Sequence, residues 1–562
     1  MNGSDGLFLA AVTLVSLVLY VWRLGFYADD WAFLGILSNA SDQSFVGLWR
    51  TLYQAQPLLQ ARPTQITEQV LLYSLFGVDP LGYHLVHAGV LTAMAVLLYA
   101  ALVELGVWRV VAVALPAVFV LLPNYSTDRV WFAAFGYALT MALLFLSVYA
   151  DLRAARAAGK RLLAWKMLAL VALVLSVLGY EVVVPFLLLA PLLVWLRARR
   201  GATGGLRMRL GTARFVLFLA ANYAALATVV AFKAVTARGA GVPVGYWQWY
   251  LAQLFFGSLS VHFGTYGVGL PHTVWWSLRV LDSPAIATGL VVGAAVFAYL
   301  FFLSGGWDAL SRRTWAKMGV VGFVLFTLGY AIFLASNRIQ FGSSTGIVNR
   351  VAIAASLGVA VLFVAVAGWL SSFARKARLR RAVFAGSVAF VCCSGFLVTN
   401  ALASFWGPAW DREREVLAGI RAELPRISPG STLIVHGICP YIGPAVVFES
   451  PWDLAGALQV AYRDPSLAGD VTTANIVVGR AGLTTTIYGR STTYPYSERL
   501  LLFDRVRGRV ISLSNEQVAR QYFATLPRNE FRGCPGEAGE GALVFPFDRL
   551  YAKLEQRGFR PF

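Results

Sequence analysis

Charge is what this chain has least of. Of its 562 residues only 13% are charged while 58% are hydrophobic, and the mean hydropathy is +0.65. A soluble domain usually carries about 25% charged residues, so the polar surface is too small to cover a water-soluble globule of this length. Cysteine is scarce too, with four in all. Cys392 and Cys393 lie in an apolar run and read as buried thiols. Cys439 and Cys534, towards the C-terminus, either pair in an oxidising compartment or stay free. There is no Walker A loop, no dinucleotide-binding glycine fingerprint and no Cys-x-x-Cys zinc pattern. Those absences argue against ATP-driven transport and redox chemistry. The internal repeat built into many transporters is missing as well.

What is present is a series of long apolar runs. About 20 residues of helix cross about 30 Å of hydrocarbon. Runs of suitable character lie near 6–24, 82–104, 108–123, 130–150, 163–180, 182–197, 214–233, 285–303, 318–335, 350–370 and 382–404. They predict an α-helical polytopic membrane protein of about eleven spans. The first run has no basic residue before it and no small-residue cleavage site in Leu24-Gly25-Phe26-Tyr27, so it reads as an anchor rather than a signal peptide. Residues 1–405 then form a transmembrane domain and 406–562 a water-exposed α/β domain. In the latter, 411–424 patterns as an amphipathic helix. Strands are predicted near 432–436, 475–479, 484–488, 499–503 and 509–513, and a helix near 515–526.

The net charge of +19 would point to nucleic acid in a soluble protein, but its placement gives another account. Arg153, Arg156, Lys160, Arg161 and Lys166 share one connection; Arg197, Arg199, Arg200, Arg207, Arg209 and Arg214 share another. Two further connections hold Arg312, Arg313 and Lys317, and then Arg375, Lys376, Arg378, Arg380 and Arg381. All four are even-numbered connections, hence cytoplasmic by the positive-inside rule. No nucleic acid is needed to explain them. The N-terminus is then cytoplasmic, and 25–81, 124–129, 180–181, 234–284, 336–349 and everything after 405 face outward from the cell membrane. Arg23, at the outer end of the first span, runs against the rule.

The outward segments hold the candidate chemistry. Asp29 and Asp30 directly follow the first span. An adjacent acid pair at the membrane surface is costly unless paired or used; it serves either as a general base or as a cap on the helix that follows. After Arg62-Pro63, residues 65–76 pattern as an interfacial helix. His84 and His87, three apart on one helix face, read as metal or phosphate ligands or as hydrogen-bonded interior groups. Asp128-Arg129 opens the fourth span. Glu181, with almost no loop around it, is placed at the mouth of the bundle as a functional acid or as the partner of an arginine. Tyr246, Trp247, Trp249, Tyr250, Trp275 and Trp276 make 234–284 an aromatic belt or a sugar-stacking surface, and Gly264 to Gly269 argues against one continuous helix there. Arg338 and Arg350 bracket the last short outward loop and suit phosphate recognition.

Four of these features, in this order, resemble the GT-C superfamily of polyprenyl-phosphate-sugar-dependent glycosyltransferases, nearest to the protein mannosyltransferase, aminoarabinose transferase and family-39-like enzymes. They are Tyr27-Ala28-Asp29-Asp30-Trp31; Arg62-Pro63 with Leu75-Phe76-Gly77 and Gly82-Tyr83-His84 to His87; Val130-Trp131-Phe132-Ala133; and Gly179-Tyr180-Glu181-Val182. The likeness covers residues 1–200, with Asn349-Arg350 as a late echo. Tyr180 stands where the family often has a lysine, and Trp275-Trp276 is followed by Ser277 rather than the aspartate of oligosaccharyltransferases. The resemblance implies inverting transfer of a sugar from a polyprenyl-phosphate donor to a hydroxyl of an envelope glycan, lipid or protein. Asp29 or Asp30 would act as base, Glu181 as a further catalytic acid group, and Arg62, Arg350 and His84 on the donor phosphate. His87, Arg129 and Arg338 are additional candidates, and a divalent metal ion beside the acids is a candidate cofactor. A transporter or flippase of a lipid-linked sugar would use the same acids and arginines as a path.

Overall fold

The computed structural model describes residues 2–202, 212–236, 247–303, 310–335, 346–472, 476–487 and 490–526. A helix occupies each predicted span. α1 (Gly3–Val18) precedes three helices of the first long connection, α2 (Asp29–Ser38), α3 (Phe45–Ala55) and α4 (Pro63–Phe76). Next come α5 (Pro80–Leu105), α6 (Arg109–Leu121), α7 (Phe135–Ala154), α8 (Gly159–Gly179), α9 (Val184–Ala202) and α10 (Thr212–Thr236). α11 (Trp247–Phe256) and α12 (Leu270–Val280) flank a wide-turn π segment, Gly257–Val268, so the predicted break narrows to Gly269. α13 (Ser283–Leu303), α14 (Arg312–Gly329), α15 (Ile353–Ser371) and α16 (Ala377–Ala403) complete the bundle.

Eight helices among the described residues are long and apolar enough to cross a membrane, or nine if α6 and the Pro123–Arg129 turn bent 64° from it form one broken span. That is fewer than the eleven apolar runs. α9 and α14 fall short because Arg197, Arg199 and Arg200 in one, and Arg312, Arg313 and Lys317 in the other, sit within helices of 19 and 18 residues. The chain is a multi-pass membrane protein.

Lipid offers no hydrophobic drive for helix association, so close backbone packing carries more of the load. A Cβ on Gly329 of α14 would lie 2.3 Å from Ala355 Cα, and one on Gly358 of α15 would lie 2.2 Å from the Phe326 nitrogen. At the end of the bundle that carries the basic loops, acids are paired. Asp5 accepts from Arg109 at 2.8 Å and from Tyr99 and Tyr299. Glu104 binds Arg153 and Arg156, and Lys166 binds Asp151 at 2.8 Å.

Residues 123–135 run through the interior, wholly buried and mostly in short 3₁₀ turns. Such irregular backbone is tolerated at membrane depth only where protein satisfies it. Thr127 N–H donates to Asn349 Oδ1 at 3.2 Å, the Asp128 carbonyl lies 2.7 Å from His87 Nε2, and the Asn349 amide donates to Ser126 Oγ at 3.0 Å. This segment is the frame on which the opposite end of the bundle is assembled.

α16 runs almost directly into α17 (Trp406–Glu423). The rest alternates: β1 (Thr432–His436), β2 (Tyr441–Ile442), β3 (Ala445–Val446), α18 (Pro451–Tyr462) and β4 (Ala468–Val471). Then follow β5 (Val477–Val478), β6 (Leu483–Ile487), β7 (Arg490–Tyr494), β8 (Leu500–Asp504), β9 (Arg509–Ser512) and α19 (Glu516–Ala524). The main sheet has the order β4-β1-β8-β9, with β1 parallel to both neighbours and β9 antiparallel to β8. Cys439 is disulfide-bonded, while Cys392 and Cys393 are free; Cys534 lies outside the described residues.

This C-terminal part rests on α2. Gly35 and Gly456 bring α2 and α18 into backbone contact, for a Cβ on Gly456 would lie 2.2 Å from the Trp31 carbonyl oxygen. Trp31 Nε1 donates to Glu413 at 2.9 Å, and the Tyr27 hydroxyl donates to the Trp406 carbonyl at 2.7 Å.

Candidate functional site

The site is built from the start of α2 outward. Ala28 has φ +48°, a left-handed conformation that is strained for a residue with a Cβ. Its turn sends the two following carboxylates different ways. Asp30 is fully buried and accepts from the Tyr27 N–H at 2.9 Å and the Ala133 N–H at 2.8 Å, with the Phe132 N–H close by. Burial pushes its carboxyl well above the usual range, against those three donors. Asp30 thus fastens α2 to the interior segment. Asp29 is only partly covered and faces Arg350 and the Trp452 indole of α18. Burial raises its carboxyl, while Arg350 and Trp452 favour its ionised form.

A second group stands beside it. Arg62, just before α4, donates to both oxygens of Glu181 at 3.1 and 3.3 Å, and its guanidinium lies 4.4 Å from the Tyr180 ring centroid. Lys233 Nζ of α10 reaches Glu181 from the other side at 2.6 Å. Burial would raise the Glu181 carboxyl, but Arg62 and Lys233 together pull it down to about 2. Glu181 is therefore an anion held between two cations. Tyr180 in turn stacks on Tyr137 at 3.8 Å.

Arg350 links the two groups. It is half-buried, 5.0 Å from the Trp131 ring centroid, and donates to the Ile347 carbonyl at 2.6 Å. It acts electrostatically on Asp29, Tyr137 and Tyr180. Among the described residues it forms no ion pair within 4 Å, unlike Arg62.

The remaining sequence candidates fall elsewhere. His84 Nε2 lies 3.0 Å from the Gly25 carbonyl, and His87 stacks on Phe135 at 3.6 Å while bonding the Asp128 carbonyl. Both brace backbone, which is the interior-group reading of that pair. Arg129 is buried and donates to Ser16 of α1 at 3.1 Å. Arg338 lies outside the described residues. Among the described residues no three His, Cys, Asp or Glu side chains converge in a way that would hold a metal ion.

Sequence reasoning missed four residues. Lys233 is a lone lysine near the end of an apolar run, a signal that marks an intramembrane ionisable group as functional by default. Trp452 comes from a helix that was not predicted. Glu68 of α4 is turned towards Gly136 and Tyr180, and burial alone raises its carboxyl to about 8. His262 lies in the π segment, 2.7 Å from the Asn124 amide nitrogen and 2.8 Å from the Tyr330 hydroxyl; nothing in the local sequence singles it out.

No family model matches the chain, and no curated protein does. Two solved structures of ArnT from Cupriavidus metallidurans are similar to it, each over 83% of this chain and 85% of theirs. The one bound to undecaprenyl phosphate is 15% identical with a TM-score of 0.35. The apo one is 16% identical with a TM-score of 0.34.

Proposed function

We propose that the chain is a membrane glycosyltransferase of GT-C type that moves a sugar from a polyprenyl-phosphate donor to an acceptor hydroxyl. The reaction takes place at the face bearing Asp29, which is the outer face by the positive-inside reading. One observation supports this reading: Asp29 and Arg350, a guanidinium with no ion pair within 4 Å among the described residues, interact electrostatically beside a compact cationic group.

The chemistry follows from that arrangement. Asp29, ionised beside Arg350, accepts the proton of the acceptor hydroxyl as its oxygen attacks the anomeric carbon. The bond from that carbon to the phosphate oxygen breaks, and the phosphate leaves with the electron pair. A single displacement inverts the anomeric centre. Negative charge growing on the leaving phosphate calls for prepositioned cations; Arg350 provides one, with Arg62 and Lys233 in reserve around Glu181. Asp30 and the two histidines hold backbone in place. The acceptor class, whether glycan, lipid or protein, is set outside this machinery.

Membranes carrying the wild-type chain, Asp29→Asn or Asp30→Asn, supplied with labelled polyprenyl-phosphate sugar, test the reading. Transfer by wild type and a loss of about a hundredfold or more in Asp29→Asn is the expected result, the usual scale for a general base. Full transfer by Asp29→Asn removes the base assignment. Movement of donor across the bilayer without transfer makes the chain a transporter instead.

A further inference from the structure

Arg350 is held in place indirectly. It belongs to a short 3₁₀ turn, Ile347–Ala352, that leads into α15. Among the described residues its guanidinium bonds only the Ile347 carbonyl of that same turn and makes no ion pair within 4 Å. Beyond the turn it lies against the Trp131 ring, 5.0 Å from the centroid, and a single cation–π contact fixes a long side chain weakly. The guanidinium therefore stands wherever the turn stands.

The turn is fixed by the residue before Arg350. Asn349 is fully buried, and its side-chain amide works in both directions: Oδ1 accepts the Thr127 N–H at 3.2 Å and Nδ2 donates to Ser126 Oγ at 3.0 Å. The Thr127 hydroxyl answers with a bond to the Gly346 carbonyl at 3.2 Å. Buried polar groups paired in this way specify one arrangement, because any slip leaves a donor or acceptor with neither water nor partner.

Residues 126 and 127 belong to the interior segment that also holds the start of α2. Further along it, Trp131 Nε1 donates to the Tyr27 carbonyl at 2.9 Å, and the Ala133 N–H reaches Asp30 at 2.8 Å. One stretch of backbone, 126–133, thus carries the turn of Arg350 at one end and the turn of Asp29 at the other. The charges in play are Arg350 acting on Asp29, Asp29 on Asp30, and Arg350 and Arg129 on Asp128.

We propose that Asn349 is a positioning residue whose side-chain amide, locked onto Ser126 and Thr127, sets the place of the Arg350 guanidinium relative to Asp29. The effect of Asn349 on transfer rests on the proposed function; its effect on where Arg350 stands does not.

Asn349→Ala in the full-length protein tests it, with Thr127→Val as a milder variant that keeps the Thr127 N–H and loses its hydroxyl bond. Ser147→Ala is the control, since it removes a buried bond between α7 and α8, from Ser147 to the Ala169 carbonyl at 2.9 Å. A cryo-electron-microscopy structure of Asn349→Ala should show the guanidinium displaced from the Trp131 ring. Transfer should fall roughly tenfold to a hundredfold, the scale of a small misplacement. The acid limb of its pH–rate profile should move to higher pH, because burial raises the Asp29 carboxyl and Arg350 opposes that rise. Thr127→Val should shift the limb less and the same way, and Ser147→Ala should leave it in place. Adding Asn349→Ala to Arg350→Met should move the limb no further. An unmoved guanidinium overturns the proposal. So does a limb that stays at its wild-type position, or one that shifts as much in the Arg350→Met background as in wild type. If wild type transfers no sugar, the proposed function fails, while the position of the guanidinium still decides the role of Asn349.

Discussion

Asp29 and Asp30 are adjacent in the chain and opposite in environment: the carboxylate of Asp30 is enclosed by backbone N–H groups, while that of Asp29 faces the Arg350 guanidinium. The strained turn at Ala28 precedes the split. A pair that reads in sequence as one acidic motif thus occupies two environments, one closed by backbone donors and one within reach of a guanidinium.

The split has a direct consequence for substitution. Asp29→Asn should lower transfer by about a hundredfold or more and leave the thermal midpoint close to wild type. Asp30→Asn should do the reverse in kind. An amide nitrogen would face a backbone N–H in place of an acceptor oxygen, costing about 1–3 kcal/mol, and activity should fall only as the folded fraction falls. Thermal unfolding followed beside transfer rate separates the two.

Proton uptake by Asp29 should set the acid limb of the pH–rate profile. Burial raises its carboxyl above the ordinary 3.8, so activity should climb with pH through that elevated range as the base ionises. Arg350 favours the ionised form. Replacing it by methionine should therefore move the limb to higher pH, besides reducing the maximal rate. A limb that stays in place in Arg350→Met would assign it to another group.

Under the proposed function, the charge balance between Glu181, Arg62 and Lys233 should govern binding of the donor phosphate. With Glu181→Gln, Arg62 and Lys233 lose their shared anion and this group gains one unit of positive charge. Polyprenyl phosphate should bind several-fold more tightly, with a steeper dependence on salt, and turnover should drop as release slows. Equilibrium binding at two ionic strengths checks this.

Much of this was legible from the chain, and the failures have physical causes. Apolar runs gave the helices because hydrocarbon demands them, and the basic loops marked one face. The strands β1, β6, β8 and β9 showed themselves through β-branched and leucine-rich runs. α18 went unseen although Ser450 and Asp453 form a capping box at its start. The separate fates of Asp29 and Asp30 were not legible at all, because two of the three N–H groups that take Asp30 belong to residues 132 and 133, about a hundred positions away. Lys233 was visible as an isolated charge, but its partner Glu181 is 52 residues distant, in the turn between α8 and α9.

Glu68 links the site to stability. Its carboxyl is raised from 4.5 to about 8 by burial, so the folded state holds this proton more firmly than the unfolded chain. The unfolded glutamate ionises near pH 4.5, and folded stability therefore declines as pH rises from there to about 8, then levels off. Glu68→Gln removes this decline. Its thermal midpoint should equal wild type near pH 4.5 and exceed it at pH 8.5; a gap that stays constant across pH would exclude Glu68 as the titrating group.

The contact between α2 and α18 offers the sharpest test of whether the C-terminal part takes part in the chemistry. Gly456 of α18 leaves no room for a Cβ, which would fall 2.2 Å from the Trp31 carbonyl oxygen. Trp452 lies one turn earlier on the same helix and reaches Asp29. Gly456→Ala must therefore push α18 away from α2, at a cost of about 1–3 kcal/mol for overpacking, and carry the indole away from the carboxylate. Gly419→Ala on α17 is the matched control. Its Cβ would meet only Phe503 at 3.7 Å, an ordinary contact, and alanine in a helix interior gains up to about 1 kcal/mol over glycine. The control should raise the thermal midpoint and keep the transfer rate. Gly456→Ala should lower both, and the rate should fall even at temperatures where the variant is fully folded. If its rate per folded molecule equals that of wild type, α18 is a cover and the indole of Trp452 has no part in tuning Asp29.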